Sequence, residues 1–173
     1  FENAELQARL QVGKRMLDLQ TQHKLAEERL QLAANVFTHA SDGIMITRAD
    51  GSIIEVNEAF TRITGFSYDE ALGQNPRILK SDHYEPDFYS NMWRDLSEKG
   101  KWCGEIWNHR KSGELFPAMM TISAMHDADG VTQHYIALFS DITEQKRHQQ
   151  QLEHLANYDA LTDLPNRLLL SER

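Results

Sequence analysis

The sequence predicts an α+β fold: a five-stranded antiparallel sheet with helices on one face, flanked by coiled-coil-like helices at its N- and C-terminal sides. Three observations predict it. Two strand-like segments are followed by several short helical ones and then by three more strands, the order of a mixed α+β domain. Asp-Gly and Ser-Gly turns punctuate the strands. The segments on either side are rich in Glu, Gln, Leu, Lys and Arg, all good helix formers.

Residues 2 to 40 contain no proline and one glycine, Gly13. Val12, Met16, Leu19, His23, Ala26, Leu30, Ala33 and Phe37 step by four and three, which is a heptad seam. A polar helix of this length gains stability by pairing, and the seam predicts a dimeric coiled coil. Gly43–Thr47 and Ser52–Val56 read as a hairpin around Asp50-Gly51. Asn57 is placed to cap a helix over Glu58–Thr64, which Gly65 ends. A second short helix is expected at Tyr68–Leu72, then a loop with Pro76. Pro86 opens a helix running to Glu98, with Phe88, Met92, Trp93 and Leu96 expected on its buried face. Strands are expected at Trp102–His109, Leu115–Met125 and Thr132–Ser140. Asp141-Ile142-Thr143-Glu144 then starts a helical segment reaching Asn157. Its few apolar residues predict that it pairs with a copy of itself. The domain organisation expected is an N-terminal helix over 1–31, the α+β domain over 32–141, a linker helix over 142–157, and a further segment over 158–173. Helices on one face of the sheet leave a pocket between the two layers.

Composition narrows the function. The net charge is -8 and no basic stripe is present, which argues against a nucleic-acid partner. The single cysteine, Cys103, excludes a disulfide framework and a cysteine-based zinc site within one chain. No apolar run approaches the ~18 residues that span a bilayer, and no signal peptide is visible. A cytoplasmic location without membrane contact is expected for this segment. The start at Phe1 and the stop inside a helical pattern suggest a longer parent, with room for a membrane anchor upstream. Asp127, Asp129 and Glu114 fall in turns, and no set of nucleophile, base and orienting residue is found, so no enzymatic activity is expected of this segment.

Residues 32–144 resemble the PAS family. The resemblance is carried by Asp42-Gly43-Ile44, Asp50-Gly51 with Ile54-Glu55-Val56-Asn57-Glu58-Ala59-Phe60, Thr64-Gly65-Phe66, and Glu70-Ala71-Leu72-Gly73. Asn108-His109-Arg110-Lys111-Ser112-Gly113 and Asp141-Ile142-Thr143-Glu144 complete it. It implies a sensor or dimerisation module with a ligand cleft. It also implies a signal exit at Asp141, Ile142 and Thr143, where Asp141 can cap the helix and tether it to the domain. Further on, Tyr158-Asp159-Ala160-Leu161-Thr162-Asp163-Leu164-Pro165-Asn166-Arg167 resembles the opening of a GGDEF diguanylate cyclase domain. That implies a parent that makes cyclic di-GMP from GTP, with room for an added phosphodiesterase domain, and catalytic residues beyond Arg173.

The pocket's occupant stays open between FAD and none. Gly73-Gln74-Asn75-Pro76-Arg77-Ile78-Leu79-Lys80 resembles the loop of flavin-binding PAS domains. Trp102, with Gly104, Trp107 and Asn108-His109-Arg110-Lys111, resembles FAD-binding redox and aerotaxis sensors. A flavin needs an apolar slot, an aromatic wall and a few amide or cationic groups. Asn75, Arg77, His83, Trp102 and Asn108 are the candidates to supply them. The same residues also fit a PAS domain with no cofactor, serving only for dimerisation. An FMN photosensor of the light-oxygen-voltage type needs a reactive cysteine where Pro76 stands, and its strand amides are replaced by Ala118 and Phe139. A haem needs an axial histidine, and the helix over Glu85–Glu98 has none, His83 lying just before it. The partners expected are a second copy through the flanking helices and a small molecule or flavin in the pocket.

Overall fold

The structure is a computed structural model and describes residues 2–157. The cyclase-like segment at Tyr158–Arg167 lies outside the described residues. The chain divides after residue 40 into two compact units. The first is one helix, α1, spanning Glu2–His39. Leu19 and Leu30 of its heptad seam are 59% and 73% exposed in the single chain.

In the second unit, β1 (Gly43–Arg48) and β2 (Ile53–Val56) form the expected hairpin. Asp50 accepts hydrogen bonds from the Ser52 amide and hydroxyl, and Gly51 supplies the positive φ of 84° that the turn requires. Next come α2 (Glu58–Thr64), α3 (Tyr68–Ala71), a 3₁₀ turn (Pro76–Leu79) and α4 (Pro86–Lys99). Then β3 (Lys101–His109), β4 (Leu115–His126) and β5 (Thr132–Asp141) lead into α5 (Thr143–Asn157). The five strands form one antiparallel sheet in the order β2-β1-β5-β4-β3.

Asn57 caps α2 as its position suggests, and does more. Its side chain accepts from the Phe60 and Ile44 amides and donates to the Asp42 carbonyl, locking α2 onto β1 at a buried point. At α3 the Glu70 carboxyl is held down at about 2 by hydrogen bonds from Lys111 and from the Ser67 backbone.

The core lies between one sheet face and the helices. Met45, Ile106, Phe116, Ala118, Met120, Ala137 and Phe139 from the strands meet Phe60, Ala71 and Leu79. Strand residues alternate across the sheet, so Trp102, Gly104, Ile106 and Asn108 all share the helix-covered face of β3. Helix α4 departs from expectation at one residue. Met92 and Leu96 are buried and Phe88 is half-buried, but Trp93 is 47% exposed and touches Tyr135 only edge-on. Tyr89 packs against the core instead. Tyr89, Met92 and Leu96 fall on one stripe at about 100° per residue, and Trp93 lies one step off it.

Candidate functional site

Two places carry polar groups that packing alone does not explain. The first lies in the core between β3 and α4. Asn108 is 4% exposed, and its Nδ2 has no hydrogen-bond partner among the described residues. Native interiors leave few buried donors unpaired, because each costs about 1–3 kcal/mol. Trp102 shares its face of β3 and is half-buried, meeting Phe88 edge-on at 6.1 Å. Its indole lies over Gly104, where a side-chain carbon would come within 2.8 Å of the ring, so the glycine makes room for the tryptophan. Tyr84, Phe88 and Tyr89 continue the aromatic lining, with the Tyr84 and Phe88 rings stacked at 4.0 Å.

Of the five residues singled out for a ligand, the structure brings Trp102 and Asn108 to this interior face. It places Asn75, Arg77 and His83 at the surface. Asn75 caps the 3₁₀ turn by accepting from the Arg77 amide at 3.1 Å, and donates to the Gly51 carbonyl at 3.5 Å. That is a local structural duty. His83 meets Tyr84 edge-on and lies tilted against Trp107, which is on the outer side of β3. Phe139 fills the space beside Gly43, its ring lying 2.4 Å from where a side-chain carbon would stand, and Ala118 is fully buried. Cys103 is exposed, and its sulfur accepts from the Thr121 hydroxyl at 3.4 Å. The residues that fit a flavin are therefore Asn108, as an unpaired buried donor, and Trp102, as an aromatic wall. No group of three or more His, Cys, Asp or Glu able to hold a metal ion occurs among the described residues.

The second place is the start of α5. Asp141 ends β5, and its Oδ1 accepts from the Thr143 amide at 2.9 Å and hydroxyl at 2.5 Å. The Ile142 amide donates to the Pro117 carbonyl, and the Ile142 carbonyl accepts the first helical bond, from Lys146. Asp141 Oδ2 meets Arg110 Nη2 at 2.6 Å. Burial alone would raise the Asp141 pKa, but hydrogen bonds from Thr143 and Arg110 outweigh it and hold the carboxyl below its ordinary value.

Arg110 is the functional residue that sequence reasoning passed over. Its guanidinium also donates to the Ile63 carbonyl near the end of α2, pairs with Glu114 across the hairpin, and sits 4.3 Å above the Phe116 ring. One side chain thus joins α2, the β3–β4 hairpin, the core and the exit helix. A bulky cation within a recognisable motif was the available signal. Its partner stands 31 residues away, and spacing cannot reveal such a partner. Lys146 adds a second tie, pairing with Glu105 of β3 at 2.7 Å. A surface depression of about 520 Å³ beside this joint is lined by Arg62, Arg110 and Lys111, but each of these cations already has a partner in the fold.

No helix among the described residues is long and apolar enough to cross a membrane. Residues 41–144 match the PAS domain family. A nitrogen fixation regulatory protein of Klebsiella oxytoca is 32% identical over 143 residues, covering 82% of this chain and 29% of that protein. The chain spans less than a third of the curated relatives it matches. The PAS domain of a protein from Colwellia psychrerythraea has the same fold, with a TM-score of 0.63 at 24% identity over 66% of this chain and 98% of that one. An RNA-binding light-oxygen-voltage receptor matches with a TM-score of 0.62 at 30% identity, over 73% of this chain and 36% of that one. With its five-stranded sheet, its helix-covered core and an exit helix tied at Asp141, the chain belongs to the PAS domain family.

Proposed function

We propose that the chain is the sensor and dimer-coupling module of a bacterial cyclic di-GMP signalling protein. It receives a redox or ligand signal in the PAS core and passes it through α5 to a diguanylate cyclase domain, in a parent with room for a phosphodiesterase domain as well. The single observation that carries the sensing half is the course of β3. It bears the unpaired amide of Asn108, and two residues later Arg110, which grips the start of α5. A ligand that draws on Asn108 pulls on the strand end that holds the exit helix. The output half rests on the resemblance of Tyr158–Arg167 to the opening of a cyclase domain. Such cyclases need two GTP-loaded sites facing each other, so a shift of α5 against its dimer mate sets activity. Two packings differing by a few kcal/mol suffice for such a switch. Catalysis itself belongs to residues outside this chain.

FAD is the ligand that these residues suit best, because Asn108 is a buried donor without a partner among the described residues and Trp102 is an aromatic wall on the same face of β3. When bound, a flavin supplies reversible redox chemistry. Asn108 offers it a hydrogen bond and Trp102 a wall. A second reading is a PAS domain with no cofactor that serves only to dimerise. The Phe139 ring packed beside Gly43 favours it. An absorption spectrum of the purified protein after incubation with FAD separates the two. Flavin bands that stay with the protein through gel filtration are expected. A colourless protein that retains none rejects the flavin reading and favours the dimerisation module.

A further inference from the structure

We propose that the Tyr89 hydroxyl is a second ligand donor, paired with the Asn108 amide, for a planar heteroaromatic molecule held between α4 and β3. This rests on the ligand-binding reading above and adds a residue to it. The Tyr89 hydroxyl and Asn108 Nδ2 are both buried without a hydrogen-bond partner among the described residues. A third such atom, Nδ1 of His134, belongs to the opposite face of the sheet, since Ala137 and Phe139 of the same strand face the core.

Asn108 and Tyr89 both neighbour Lys80. Lys80 pairs by backbone with Asn108, and its ammonium lies 4.6 Å from the centre of the Tyr89 ring. Around them, Phe88 meets Tyr89 edge-on at 5.3 Å and Trp102 at 6.1 Å. Burial and the neighbouring Tyr84 and Asp82 raise the pKa of Tyr89, so its hydroxyl keeps its proton and is a donor near neutral pH. Neighbouring Tyr84 is a contrast, because its hydroxyl donates to the Glu105 carbonyl. Two donors in an aromatic interior call for two acceptors on a flat, largely apolar body. A ring edge with carbonyl oxygens and ring nitrogens, such as the pyrimidine edge of a flavin, meets that demand.

The test compares Tyr89→Phe, Asn108→Leu and Tyr84→Phe with the wild type. Thermal unfolding is followed without ligand, and FAD binding by fluorescence titration. Near-UV circular dichroism checks that each variant is folded. Without FAD, Tyr89→Phe is expected to unfold at the wild-type temperature or above, because the lost hydroxyl had no partner to satisfy. With FAD, Tyr89→Phe and Asn108→Leu are each expected to bind about tenfold more weakly. Tyr84→Phe should lose some thermal stability and bind FAD within about twofold of wild type. A fall of several degrees for Tyr89→Phe without ligand would show a structural partner and overturn the proposal. So would wild-type affinity in Tyr89→Phe, or an equal loss in Tyr84→Phe, and either leaves the flavin reading standing. A wild type that takes up no FAD fails at the earlier step and removes both.

Discussion

Asp141 and Arg110 hold each other where the last strand becomes the exit helix, with side chains 24% and 20% exposed. That partial burial makes their contact stronger than a surface ion pair, and removal of one partner leaves the other charge poorly solvated. Asp141→Ala also removes the acceptor for the Thr143 amide. We expect a loss of about 1–3 kcal/mol in urea unfolding, with faster hydrogen exchange in the first turn of α5. The pH dependence follows from the direction of the shift. A carboxyl held below its ordinary value in the folded state contributes stability above the unfolded value of about 4. That contribution fades as pH falls through the lower folded value. The wild-type unfolding temperature should thus hold down to about pH 4 and drop below it, while Asp141→Asn should lose this part of the acid drop. The same drop in Asp141→Asn as in wild type would show that other carboxylates carry it.

Among the elements, β1 shows how tightly the core is filled. Gly43 pairs with Phe139 across β1 and β5, and the Phe139 ring occupies the space where a side chain at 43 would lie. Gly43→Val should therefore cost about 1–3 kcal/mol through overpacking. Made together with Phe139→Leu, the cost of Gly43→Val should shrink, and a double-mutant cycle measures that coupling. Additive effects would mean that the ring is not what fills the space. Helix α4 shows where pattern reading falls short. At about 100° per residue Met92 and Leu96 lie between Phe88 on one side and Tyr89, then Trp93, on the other. The roll of the helix on the sheet decides between Tyr89 and Trp93, and that roll depends on long-range packing. The local devices were legible because they need only neighbours. The Asp50-Gly51 turn, the Asn57 cap and the glycines closing α2 and α4 all act within a few residues.

At the scale of the whole molecule, Val12, Met16, Leu19 and Leu30 of the heptad seam of α1 are exposed. Leu10, Leu17, Leu25 and Leu32 lie roughly on the opposite side at about 100° per residue and are exposed as well. Apolar rows on two sides of a 38-residue helix do not suit a lone helix in water. Leu19→Lys with Leu30→Lys should therefore shift the protein toward monomer in sedimentation velocity, while the PAS core keeps its unfolding temperature. Unchanged sedimentation would place the dimer contact elsewhere in the chain, and a monomeric wild type at high concentration would remove the coupling argument.

What the sequence by itself determined is the order of elements, the turns and caps that separate them, and the PAS family. Each of these is encoded in short windows of a few residues. Only the tertiary structure decided which candidate side chains reach the interior. It sent Asn75, Arg77 and His83 to the surface and brought Trp102, Asn108 and Tyr89 to the interior. It also joined Arg110 to Asp141 across 31 residues. The reason is register. Pairing Asn108 with Phe116 and Ala118 with Asp141 fixes which strand residues share a face and which ends meet, and a one-residue slip of β3 against β4 would send Trp102 and Asn108 to the other face.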